Sequence, residues 1–118
     1  MTLQIVIAKA AAKELRQLDR STQARMIQAL ERLQRDPRPR GAKKLKGEDG
    51  LLRLRVGDFR VIYHVYEERV IIVLLIKNRK HAYDTHTLQS LEARLDRTVA
   101  DNVVSLKRPP GRRPSGSE

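Results

Sequence analysis

Residues 51–66 read Leu-Leu-Arg-Leu-Arg-Val-Gly-Asp-Phe-Arg-Val-Ile-Tyr-His-Val-Tyr. Leu52, Leu54 and Val56 alternate with Arg53 and Arg55, the period of a half-buried strand, so one face is apolar and the other carries two guanidiniums. Val56-Gly57-Asp58 marks a turn. A second strand follows, with Arg60 beside the turn and Val61 and Tyr63 assigned to the core. Three of the chain's four aromatics, Phe59, Tyr63 and Tyr66, lie here. The stretch predicts a two-stranded ribbon whose open face is cationic, and that face is the candidate working surface.

The totals agree with such a surface. The chain has 118 residues, enough for one two-layer core and not two. With one Phe, three Tyr and no Trp, that core must be aliphatic. A formal charge of +11 points to a polyanionic partner: nucleic acid first, an acidic protein second, an anionic membrane surface third. The absence of cysteine excludes disulfides, thiolate catalysis and thiolate metal sites. Met1–Ala12 has no basic leader followed by an apolar run, and Val70–Ile76 is about a third of a membrane span, so a cytoplasmic location is expected.

Upstream of the ribbon, Leu3–Ile7 is rich in β-branched residues and predicts a first strand. Ala8–Leu18 turns helical, with Ala11, Leu15 and Leu18 on one face. Asp19 or Ser21 is placed to cap a second helix that runs to about Arg35 on a stripe of Ile27, Leu30 and Leu33, with Ala24 as a small neighbour. Pro37 and Pro39 end it. Arg38–Gly50 reads as a cationic loop that Leu45 anchors inward.

Downstream, Glu67-Glu68-Arg69 is a turn, and Val70–Ile76, apolar on both sides of the pleat, predicts a strand flanked by others. Leu88, Leu91, Leu95 and Val99 then recur at helical spacing, for docking on the sheet or pairing with a partner helix. Residues 85–106 form a C-terminal helical extension in this reading, and 107–118 a disordered basic tail of Pro, Gly, Ser and Arg. The order β-α-α-β-β-β-α predicts an α+β fold: a small, mainly antiparallel twisted sheet of about four strands packed on an N-terminal helical hairpin.

Cations gather around this sheet: Lys44 and Lys46 in the loop, Arg53 and Arg55, Arg60, then Lys77, Arg79 and Lys80. If the last segment stays extended, Arg79, His81 and Tyr83 share a face. Guanidinium forks match phosphate oxygens in two-point geometry. Metal-free RNA cleavage needs such groups. A base deprotonates the ribose 2′-hydroxyl, cations stabilise the phosphorane, and an acid protonates the departing 5′-oxygen. His64, His81 and His86 lack the spacing of a metal site, no glycine-rich phosphate loop is present, and no cofactor is expected.

These residues resemble the RelE/ParE superfamily of type II toxin–antitoxin toxins, in its RelE branch, over roughly residues 3–84. The resemblance is carried by Ala-x-x-x-x-Leu-x-x-Leu in Ala10–Leu18, Asp-Pro-x-Pro from Asp36, Lys44-Leu-Lys-Gly47, Leu52-Arg-Leu-Arg-Val-Gly-Asp-Phe-Arg-Val-Ile-Tyr63 and Lys-Asn-Arg-Lys-His-Ala-Tyr83. It implies a toxin domain over residues 1–84, a ribosome-dependent endoribonuclease that cuts mRNA in the A site, and a cognate acidic, RelB-like antitoxin. Operator DNA would be met only through the antitoxin complex.

On the same resemblance, Lys46 falls on the loop cation, Arg60 on the phosphate-binding arginine, Tyr83 on the C-terminal tyrosine, and Arg79 or Lys77 on the late basic group. Arg53 and Arg55 stand where the best-known RelE-type toxins carry lysines, one of them implicated as the base. Arginine, with a pKa above about 12, does not abstract protons near neutral pH, so these two are assigned to binding RNA, together with Lys44, Lys46, Lys77 and Lys80. Arg60, Arg79, His81 and Tyr83 form the expected catalytic set, in which His81, with an intrinsic pKa of about 6.5, is the candidate base. Two other readings stay open: a ParE-like gyrase inhibitor acting by binding alone, and a basic nucleic-acid-binding module with neither activity.

Overall fold

A run as apolar as Val70–Ile76 is stable only where both faces and both edges are covered, and the fold is arranged to cover them. The structure is a computed structural model that describes residues 2–45, 50–78 and 88–102. Lys46, Arg79, Lys80, His81, Tyr83, His86 and the tail from residue 107 lie outside the described residues. The elements are β1 (Gln4–Ile7), α1 (Lys9–Arg16), α2 (Arg20–Arg35), β2 (Lys43–Lys44), β3 (Leu51–Val56), β4 (Phe59–Tyr66), β5 (Val70–Asn78) and α3 (Leu88–Asp101).

The strands form one sheet in the order β1-β5-β4-β3-β2, antiparallel except where β1 runs parallel to β5. The α+β class, the hairpin and the mainly antiparallel sheet match the expectation. The sheet has five strands rather than about four, because Lys43 and Lys44 pair with Arg53 and Leu52 inside the segment read as a loop. Two residues are too few for alternation to signal a strand. Leu45 is buried as expected, and its amide bonds back to Leu51 O at 2.9 Å.

In α2, Asp19 is the cap, its carboxylate accepting from the Thr22 amide. The buried stripe is Met26, Leu30 and Leu33. Ile27, expected inward, is 42% exposed, and Ala24 is exposed too. Leu30 and Leu33 are common to both readings. Met26 completes the face at i, i+4, i+7, whereas Ile27 lies about 100° further round the helix. Tyr63 is fully buried, and its hydroxyl donates to Pro37 O at 2.7 Å, tying β4 to the end of α2.

β5 is buried at every residue from Val70 to Ile76. β1 matches it only from Val70 to Val73, so the rest of that edge needs other partners. The amide of Ala8 takes Val73 O at 2.8 Å. Against β4 the register steps between Ile62–Leu75 and Tyr63–Val73, which leaves Leu74 as a bulge, and the Arg94 guanidinium of α3 donates to Leu74 O at 2.8 Å. Glu14 of α1 accepts the Ile76 amide at 2.9 Å, and its carboxylate also lies 3.4 Å from Lys77 Nζ and 3.8 Å from Arg94 Nη1.

α3 thus takes the sheet-docking option, with Leu91 fully buried and Leu95 and Val99 packed against the core. Among the described residues, no helix is long and apolar enough to cross a membrane.

Glu14→Ala leaves the Ile76 amide without its acceptor and should lower the unfolding free energy by about 1–3 kcal/mol in urea titrations, with Glu14→Gln recovering part of the loss. Burial pushes the Tyr63 phenol from its ordinary 10.0 up to about 12. The raised folded value means that this contribution is intact below the unfolded pKa and is lost as pH rises between the two. Stability should therefore fall from about pH 10 to about 12, by an amount on the order of 2 kcal/mol, and Tyr63→Phe should remove that component.

Candidate nucleic-acid interface

The cationic side chains are collected by strand register. Arg53 and Arg55 lie two apart on β3 and therefore share a face, while Leu52, Leu54 and Val56 take the other. Arg55 stands directly opposite Arg60 of β4, and Arg60 directly opposite Lys77 of β5. Three cations thus occupy one cross-strand row, with Cβ atoms about 4.5–5.5 Å apart in each pair. Arg53 lies about 7 Å along β3 from that row, and Lys43 of β2 stands directly opposite it.

The turn that brings β3 into this register is short. Gly57 has φ +61° and Asp58 follows before β4 begins, as in a type II′ turn, so glycine is required at the first central position. Arg55 Nε donates to Gly57 O at 3.1 Å, which fixes the root of its side chain.

A cavity of about 270 Å³ opens on this face, lined by Lys43, Arg53, Arg55 and Arg60 with Gly41 and Leu54. Among the described residues, no carboxylate lines it. Arg60 is half-buried with its Nε enclosed, so a phosphate held there would meet a partly desolvated guanidinium, where an ionic hydrogen bond is stronger than in water. Glu14 partly neutralises Lys77 at the end of the row.

Of the expected RNA-facing residues, the structure brings together Arg53, Arg55, Arg60 and Lys77. It does not bring Lys44 to them: Lys44 pairs with Leu52 and so alternates away from the arginine face, and Lys43 takes the place beside Arg53. With no strand recognised at 43–44, nothing in the sequence distinguished the two lysines. Arg38 is committed elsewhere, through two bonds of 2.9 and 2.7 Å to Glu68, which raise the Arg38 pKa and lower that of Glu68. His64 lies on the Arg60 side about 13 Å along the strand, and its Nδ1 is 2.8 Å from Gly50 O, so it ties a loop rather than serving the row. Among the described residues, no group of three or more His, Asp or Glu is placed to hold a metal ion.

Like charges placed directly across a sheet cost stability. Arg55→Gln should therefore leave the unfolding free energy unchanged or raise it by about 0.2–1 kcal/mol, while weakening binding to RNA; urea titration and fluorescence anisotropy on the same preparation check both halves.

Residues 5–83 match the family model described as the ParE toxin of the type II toxin–antitoxin system parDE. A Methanocaldococcus jannaschii protein named as a candidate RelE1 toxin is 36% identical over 87 residues, covering 70% of this chain and 97% of that protein. The crystal structure of the archaeal RelE–RelB complex from Pyrococcus horikoshii contains a chain 35% identical, with a TM-score of 0.61, over 70% of this chain and all of that one. A mutant of Escherichia coli RelE in the free state, at 20% identity, has a TM-score of 0.62 over 82% of this chain and 98% of its own and shares the fold.

Proposed function

The chain belongs to the RelE/ParE superfamily of type II toxins, and on that premise we propose that it is a ribosome-dependent endoribonuclease that cuts mRNA in the A site. The observation that carries this reading is the Arg55–Arg60–Lys77 row with Arg53 beside it, a phosphate-sized cluster of cations on one sheet face. A gyrase inhibitor that works by binding alone has no need of it. The matching family model bears the ParE name, and this keeps gyrase as the alternative target.

In this mechanism Arg60 and Arg55 grip the non-bridging oxygens of the scissile phosphate and stabilise the charge that grows there as the 2′-oxygen attacks phosphorus and the P–O5′ bond breaks, leaving a 2′,3′-cyclic phosphate and a 5′-oxygen that departs protonated. Arg53 and Lys43 hold neighbouring phosphates. None of the arginines exchanges a proton at neutral pH, so a group outside the row moves protons. His81 and Tyr83 have suitable chemistry, His81 to take the 2′-proton and Tyr83 to orient the hydroxyl. They follow Asn78, the last residue of β5, by three and five positions in the chain. Arg79 and Lys80 add charge over the same stretch. Neutralisation would come from a cognate antitoxin, as the RelB partners of the archaeal structures suggest, and an acidic segment laid over the row would block it.

Mapping RNA 5′ ends after induction tests this reading. The wild-type chain should cut within codons on ribosomes, and Arg60→Ala should reduce single-turnover cleavage by roughly 10²–10³ with its urea midpoint retained. Intact transcripts accompanied by loss of DNA supercoiling would replace the nuclease with the gyrase reading.

A further inference from the structure

A second, larger groove lies around the β3 edge from the arginine row. Its volume is about 600 Å³, and it runs between α2 and the β3–β4 turn. Arg25 and Arg32, two helical turns apart on α2, line it with Arg40 of the loop and Arg55 of β3. Among the described residues no carboxylate contributes to the lining, and all four arginines are exposed. Among the described residues, the side chains of Arg25, Arg32 and Arg40 form no hydrogen bond or ion pair.

The Arg25 guanidinium closes over the turn, so near that a Cβ added to Gly57 would lie 2.9 Å from its Nη1. Arg55, Gly41 and Leu54 line both this groove and the cavity on the sheet face. The two are therefore halves of one cationic track that turns the edge of the sheet at Arg55.

We infer that this groove is a second RNA-backbone site, which carries nucleotides flanking those held on the sheet face. The inference rests on the reading that the arginine row binds an RNA phosphate. A partner that follows the whole track must present negative charge on both sides of the edge at short, regular intervals, as a phosphodiester chain does with every nucleotide. A peptide would need acidic residues along its entire length. The partly exposed aliphatic lining of Ala29, Pro39 and Leu54 accepts ribose edges, and among the described residues no aromatic lines the groove to stack on bases or read them. Binding in the groove is thus independent of sequence and carried by phosphate contacts.

The test uses the full chain with two unstructured oligouridylates, one of roughly four nucleotides and one of roughly twelve, titrated by anisotropy between about 50 and 200 mM salt. For the longer RNA, Arg25→Gln/Arg32→Gln should flatten the slope of log K against log salt by about 1.4, or 0.7 for each lost phosphate contact. The shorter RNA should bind this variant as it binds the wild type, and Arg60→Ala should weaken both. Both arginines are exposed, and an unchanged urea midpoint confirms that the comparison is between folded proteins. Equal slopes for variant and wild type on the longer RNA overturn the inference. So does a variant that loses affinity for poly-L-glutamate but not for RNA, which would assign the groove to an acidic protein. If Arg60→Ala leaves both RNAs bound while the groove variant still flattens the slope, the sheet-face reading fails and the groove stands.

Discussion

A buried strand cannot leave its backbone edge unsatisfied, and β5 has an edge that its neighbour covers only in part. β1 ends at Ile7, opposite Val73, while β5 continues to Asn78. An unpaired amide in that environment costs about as much as several favourable packing contacts return. The chain meets the need with three different groups: the Ala8 amide on Val73 O, Arg94 on Leu74 O and Glu14 on the Ile76 amide. These bonds draw α1 and α3 to one edge, and the same carboxylate reaches Lys77, the last cation of the cross-strand row. Edge support and cationic face therefore meet at Glu14.

The cationic face of the sheet has the opposite energetic character. Arg55, Arg60 and Lys77 repel one another across adjacent strands, and a sheet built only for stability would place uncharged or oppositely charged residues there. Their neighbours on the apolar face, Val61 and Ile76, are buried and hold the strands in register. A one-residue slip would send every arginine into the core, so the hydrophobic pattern that stabilises the sheet also fixes the charges in place. The cations on α2 and the loop extend this surface around the β3 edge, where exposed guanidiniums cost little because water screens them.

Much of this was legible along the chain because alternation is a local signal. Leu52, Leu54 and Val56 against Arg53 and Arg55 identify a strand and both its faces without knowledge of any partner, and the unbroken run Val70–Ile76 identifies one covered on both sides. Asp19 followed by a helical pattern, and the prolines at 37 and 39, mark the ends of α2 for equally local reasons. Signals became ambiguous where one residue's shift changes the face. Met26 and Ile27 are both apolar and adjacent, and only the angle at which α2 meets the sheet selects Met26. Lys43 and Lys44 are chemically identical, and only pairing with β3 puts Lys43 beside Arg53.

Sequence alone determined the α+β class, the cationic face of the 51–66 ribbon and the aliphatic core, because composition and short-period patterning are properties of neighbouring residues; the kinship to RelE/ParE toxins came from resemblance of its motifs. Tertiary structure decided which cations stand together. The Arg55–Arg60–Lys77 row depends on register across three strands, the Arg25–Arg32–Arg40 groove on the packing of α2 against the β3–β4 turn, and the role of Glu14 on an edge that β1 leaves uncovered. Each joins residues distant in sequence, and their proximity is set by strand pairing and helix packing, which no single stretch of the chain encodes.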